Sequence, residues 1–114
     1  MINFHSCQGG LVYMPTVKKF LFFAGRNGSA STVAHNQTWT FDPARRQWNR
    51  VNPTTSPPAR DLHSMVFDTP NGVAILRGGR SADRSTVLGD TWVFDPVKEV
   101  WTDVTSLLVC PGSY

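Results

Sequence analysis

The sequence predicts an all-β chain made of two copies of one four-stranded antiparallel unit, and three observations carry that reading. The first is a repeat. Thr38-Trp39-Thr40-Phe41-Asp42-Pro43, followed by Trp48, returns as Thr91-Trp92-Val93-Phe94-Asp95-Pro96, followed by Trp101, with every pair 53 residues apart. A fixed period near 50 residues marks stacked supersecondary units. The second is periodicity: no segment carries the i, i+3, i+4 apolar spacing of a helix over two turns, while short β-branched and aromatic runs alternate with turn residues. The third is a connector, Asn52-Pro53-Thr54-Thr55-Ser56-Pro57-Pro58-Ala59-Arg60, whose three prolines in nine residues forbid a helix and a central strand alike.

Each strand follows in order. Leu11-Val12-Tyr13 and Phe20-Leu21-Phe22-Phe23-Ala24-Gly25 flank a polar turn through Pro15, Thr16, Lys18 and Lys19, which reads as a hairpin. The second run is apolar throughout, as in a strand covered on both faces. Residues 26–36 are small and polar and read as a loop. Residues 37–42 alternate into a third strand, Pro43-Ala44-Arg45-Arg46 turns, and residues 47–51 make a fourth. Beyond the connector the order returns: strand 62–68, turn Thr69-Pro70-Asn71-Gly72, strand 73–78, loop 80–89, strands 90–95 and 100–104. Upstream of the glycines the offset is 54, pairing Val12 with Val66 and Gly25 with Gly79, so one loop absorbs a single-residue difference. The expected boundaries are 1–51 for the first unit, 52–60 for the connector, 61–105 for the second unit and 106–114 for a tail leading toward a further one.

Composition narrows the class. The 114 residues are 40% hydrophobic and 17% charged, which suits a folded chain. No apolar run reaches the roughly 20 residues of a membrane span, and the N-terminus lacks a signal-peptide pattern, so a cytoplasmic, membrane-free protein is expected. The net charge is +3, but the basic residues are scattered apart from Lys18-Lys19 and Arg45-Arg46, so no nucleic-acid stripe is read. Cys7 and Cys110 stand at the two ends; two blades' width apart, they are expected to be unlinked within one chain.

The residues Arg60 with His63-Ser64, then Gly78-Gly79, then Asp90-Thr91-Trp92-Val93-Phe94-Asp95 and Trp101 resemble the kelch repeat. The first copy departs from it where Ala24-Gly25 replaces the glycine pair, Gln37 stands for Asp90 and Gly9 for His63. The resemblance implies two kelch-type blades, a partial β-propeller. In such a blade the tryptophans, Phe41 and Phe94 fill space between sheets, each Phe-sized burial being worth about 1.5–3 kcal/mol. The glycine pair permits close approach and a sharp turn. Asp42-Pro43 and Asp95-Pro96 open tight turns, Asp accepting backbone N–H bonds and Pro presetting φ.

Little points to catalysis. His63 reads as a structural histidine, His5 and His35 lack partners at metal-site spacing, and no base or oxyanion hole accompanies Cys7. No catalytic residue, metal or cofactor is assigned. Strand direction brings the connector and the loop after the glycines to one polar, mildly basic face. The candidate binding residues there are Arg26, Asn27, His35, Arg60, Arg80, Asp83 and Arg84. Kelch resemblance implies a non-enzymatic interaction module binding a protein or peptide through this face, as a fragment of a larger propeller or as a homo-oligomer that completes one. The alternative it implies is part of a carbohydrate-active enzyme of the sugar oxidase or sialic acid epimerase type. The oxidase variant lacks a credible copper ligand set with only Tyr13 and Tyr114 and three scattered histidines. A third class is a purely structural piece.

Overall fold

The structure, a computed structural model, describes the backbone of residues 6–7, 10–27 and 34–106, and the side chains of residues 10–23 and 36–106. In chain order the strands are β1 (Ser6–Cys7), β2 (Gly10–Met14), β3 (Lys19–Asn27), β4 (Ala34–Asp42), β5 (Gln47–Val51), β6 (Arg60–Asp61), β7 (Ser64–Asp68), β8 (Val73–Arg77), β9 (Arg80–Ser81), β10 (Thr91–Asp95) and β11 (Val100–Asp103). No helix occurs among the described residues, so none is long and apolar enough to cross a membrane. The fold is all-β, with two antiparallel four-stranded arrays in the orders β2-β3-β4-β5 and β7-β8-β10-β11. Cys110 and residues 107–114 of the expected tail lie outside the described residues, as does His5.

The turns repeat in detail. The Asp42 carboxylate accepts the backbone N–H groups of Ala44 at 3.0 Å and Arg45 at 3.3 Å; that of Asp95 accepts those of Val97 at 2.9 Å and Lys98 at 3.1 Å. Each such turn closes through a left-handed residue, Arg46 at φ 54° and Glu99 at φ 57°. The β2–β3 and β7–β8 turns close in the same way at Lys18 and Gly72, with φ of 57° and 66°. Four residues of local chemistry thus set each hairpin register.

Residues 26–36 differ from the expected loop. Arg26 and Asn27 prolong β3, pairing with Cys7 and Ser6, while β4 begins at Ala34, which faces Arg26. The second unit makes the same pairing between β6 and β9, Arg60 with Ser81 and Asp61 with Arg80, each position 54 residues on. The partner strand lies about 20 residues upstream, so a local reading of small polar residues misses it. The strand expected over 62–68 begins only at Ser64: Leu62, at φ 59°, and His63 separate it from β6, whose Arg60 lies in the expected connector.

The two arrays stack through one core of Met14, Leu21, Phe23 and Val51 against Ala74, Leu76, Trp92, Phe94 and Trp101. Trp101 lies edge-on to Phe23 at 5.3 Å and its Nε1 donates to the Thr38 hydroxyl at 3.0 Å. This ring packing and hydrogen bond join the arrays. Strand alternation then places Trp39, Phe41 and Trp48 on the opposite face of the first array, where they are only half-buried and Trp48 packs on Phe41 at 4.9 Å and on Phe22 at 6.5 Å. The expectation that all four tryptophans fill the core is corrected: the period gives each copy the same face, but only the second copy's aromatic face meets the other array.

Candidate functional site

The candidate site is the cleft where the connector meets the loop after the glycine pair. Proline rigidity brings Pro58 and Ala59 to it from one side. From the other come Ser81, Ala82, Asp83, Thr86 and Leu88, and together these residues line a cleft of about 360 Å³. It lies at the end of the strands opposite the Lys18 and Arg45-Arg46 turns, because β3 and β8 both run away from the hairpin turns toward it.

Two ion pairs, each with one fully buried partner, brace the segments that line it. Arg60 is fully buried and pairs with both Asp90 oxygens at 2.6 Å. The same guanidinium donates to the carbonyls of Pro58 at 3.1 Å and Gly78 at 3.0 Å, which ties the connector to the glycine pair and to the start of β10. Burial opposes ionisation of Asp90, but the bonds from Arg60 and from Trp92 Nε1, at 2.8 Å, outweigh it and hold its carboxyl below the ordinary value. The neighbouring residue, Asp61, is also fully buried and takes Arg80 in a fork at 3.1 and 2.8 Å. Those bonds raise the Arg80 pKa above its usual value. Bidentate geometry fixes both guanidinium planes.

The glycines explain how the strands come so near. A Cβ on Gly79 would lie 2.6 Å from the Asp61 carbonyl oxygen, and its φ of 103° belongs to glycine. Beyond it the loop orders itself. Leu88 N–H donates to the Gly79 carbonyl and Ser81 N–H to that of Thr86, at 2.8 and 2.9 Å. Asp83 accepts the hydroxyls of Ser81 and Ser85, both at 2.6 Å, and the Ser85 N–H at 3.0 Å. These bonds, the Ser81 hydroxyl foremost, lower the exposed Asp83 carboxyl to about 2. Arg84 follows at φ 64° in the exposed turn.

Of the sequence-derived residues, Arg80, Asp83 and Arg84 share this loop. The expectation that Arg60 faces solvent with them is corrected: its charge is buried because Asp90 and the carbonyls of Pro58 and Gly78 converge on it. Arg26, Asn27 and His35 are strand residues rather than loop residues, and their side chains lie outside the described residues. Sequence reasoning missed Asp61 and Asp90 as the anchors. Their signal was present as an Arg-Asp dipeptide at 60–61 and an Arg-to-Asp span at 80–90, but the pairing between them is not local.

His63 lies between the arrays below the cleft. Its Nε2 donates to the Phe23 carbonyl at 2.9 Å, its ring meets Phe23 edge-on at 5.7 Å, and the buried Nδ1 has no hydrogen-bond partner among the described residues. Burial pushes it down to about 4, opposed by the Phe23 bond and assisted by Arg60. It is neutral at physiological pH. Among the described residues no group of three or more His, Cys, Asp or Glu is placed to hold a metal ion. The arrangement offers a rigid rim of hydroxyls, one carboxylate and apolar surface, suited to hydrogen bonding and shape recognition. No family model matches the chain, and no curated protein matches it either.

Proposed function

We propose that this chain is a non-enzymatic, kelch-type interaction module, two blades of a β-propeller, that binds a protein or peptide segment at the cleft between connector and loop. The observation that carries the reading is the pair of guanidinium–carboxylate forks, Arg60 with Asp90 and Arg80 with Asp61, each with one partner fully buried, which brace the cleft walls before any partner arrives. A rim already ordered loses little conformational entropy on binding. The charges at the cleft base are committed to one another, which supports a recognition role. The lining combines Pro58, Ala59 and Leu88 with hydroxyl groups of Ser81 and Thr86, a mixture that fits an extended peptide better than a bare anion. Val87, 86% exposed beside this rim, adds an apolar contact.

The test is selection of peptides from a display library on the immobilised chain, followed by titration of the selected peptide. Chemical-shift changes should concentrate at residues 58–59 and 81–88. Alanine at Arg84 or Thr86, both exposed, should weaken binding without altering unfolding, whereas alanine at Lys18 or Arg45 on the opposite end should leave binding unchanged. Equal loss from both ends, or shifts centred elsewhere, removes the cleft as the binding site.

A further inference from the structure

The two arrays carry unlike outer faces. That of the first is aromatic, with Tyr13, Phe22, Trp39, Phe41 and Trp48, and with Leu11 57% exposed. That of the second is aliphatic, with Val73, Ile75 and Val93, and with Val66 58% exposed. Inside the molecule the same two kinds of face already meet: the second array's aromatic face, through Trp92, Phe94 and Trp101, packs on the first array's inner face of Val12, Leu21 and Phe23.

From this we infer that a second copy of the chain seats its aromatic face on the aliphatic face of the first, head to tail, repeating the internal packing. The repeat offsets supply the register. They carry Leu21 to Ile75, Val12 to Val66, Phe23 to Arg77 and Thr38 to Thr91 on the receiving face, and Trp101 back to Trp48 on the entering one. Internally Trp101 rests on Phe23; between copies Trp48 rests on Arg77. That substitution keeps the contact favourable, since a guanidinium over an indole face is attracted by the ring quadrupole. Arg77 is held for it, its Nη1 donating to the Thr91 hydroxyl at 2.8 Å.

The two faces of this junction differ, so the contact is heterologous: each copy presents one donor face and one acceptor face, and successive copies join in a ring or a chain according to the rotation at each junction. Nothing among the described residues covers either of them, and apolar sheet faces of this extent are association surfaces. The inference is independent of the cleft and its ligand.

Sedimentation velocity over a concentration series tests it. The wild-type chain should sediment as species heavier than the monomer, populated increasingly as concentration rises. Leu11→Glu blocks the aromatic face and Val66→Glu the aliphatic face; both positions are more than half exposed, so the core is untouched. Each variant alone should be monomeric. Mixed in equal amounts they should form a dimer and stop there, because one intact face remains on each. If circular dichroism shows either variant unfolded, Tyr13→Glu and Arg77→Glu replace them on the same faces. A wild-type chain that stays monomeric to its solubility limit overturns the inference. So does a single variant that associates like wild type, or a mixture that fails to dimerise.

Discussion

Arg60 and Asp90, thirty residues apart in the chain, are joined by two hydrogen bonds of 2.6 Å inside the fold, and Trp92 braces the same carboxylate from the strand that follows. Replacing Arg60 by Leu removes the guanidinium from Asp90 and from the carbonyls of Pro58 and Gly78, leaving Asp90 only Trp92 Nε1. Asp90 stays 22% exposed and keeps the Trp92 donor, so the loss is that of an unsatisfied buried polar group, about 1–3 kcal/mol, rather than that of a fully buried ion pair. Urea unfolding should show a loss of that size, and a double-mutant cycle with Asp90→Asn should recover part of it. Additive losses in the cycle would deny the coupling.

Gly79 and Gly89 separate the backbone role of glycine from its absence. Alanine at Gly79 meets the Asp61 carbonyl at 2.6 Å and must hold φ near 103°, whereas a Cβ on Gly89 meets nothing within 4 Å. Gly79→Ala should destabilise by more than the roughly 1–3 kcal/mol of backbone strain alone, and Gly89→Ala should change the unfolding midpoint little. Similar midpoints for the two variants would contradict the close approach of β6 to the glycine pair.

The tryptophans should divide by array. Trp101 and Trp92 are 4% and 7% exposed, and Trp101 also contacts Phe23, Phe94 and Thr38. Their truncation to alanine should cost on the order of 3–5 kcal/mol. Trp39 and Trp48, half-buried on the outer face, should cost visibly less in dilute monomer. Thermal unfolding of the four single variants, measured under one condition, decides it, and a uniform cost would mean that the outer face is part of the monomer core.

His63 makes stability depend on pH. It is buried with a pKa lowered from 6.5 to about 4, so between those values the unfolded chain binds the extra proton and the fold does not. Stability therefore rises with pH across this window, by at most about 1.4 kcal/mol per pH unit, is fully present above the unfolded value, and is lost as pH falls toward the folded one. Urea midpoints across the window should show the slope in the wild type. His63→Gln, which keeps a donor for the Phe23 carbonyl, should flatten it; an unchanged slope would assign the pH dependence to other groups.

The sequence by itself determined the four main strands of each array, the two-unit period and the hairpin turns. Each is a matter of residues a few positions apart: Asp42 and Asp95 reach only to the two or three N–H groups that follow them, and alternation along β4 and β10 needs nothing beyond the strand. The end of the molecule at which the candidate site forms was legible for the same reason, since strand direction follows from counting turns. Only the tertiary structure decided which face of each array is core, because the two aromatic faces read alike and are distinguished by what packs on them. It also decided that Arg60 is a buried brace while Arg84 is a surface residue. A guanidinium leaves water only where a carboxylate and free carbonyls converge on it, and here Asp90 and Gly78 reach Arg60 from 30 and 18 residues away.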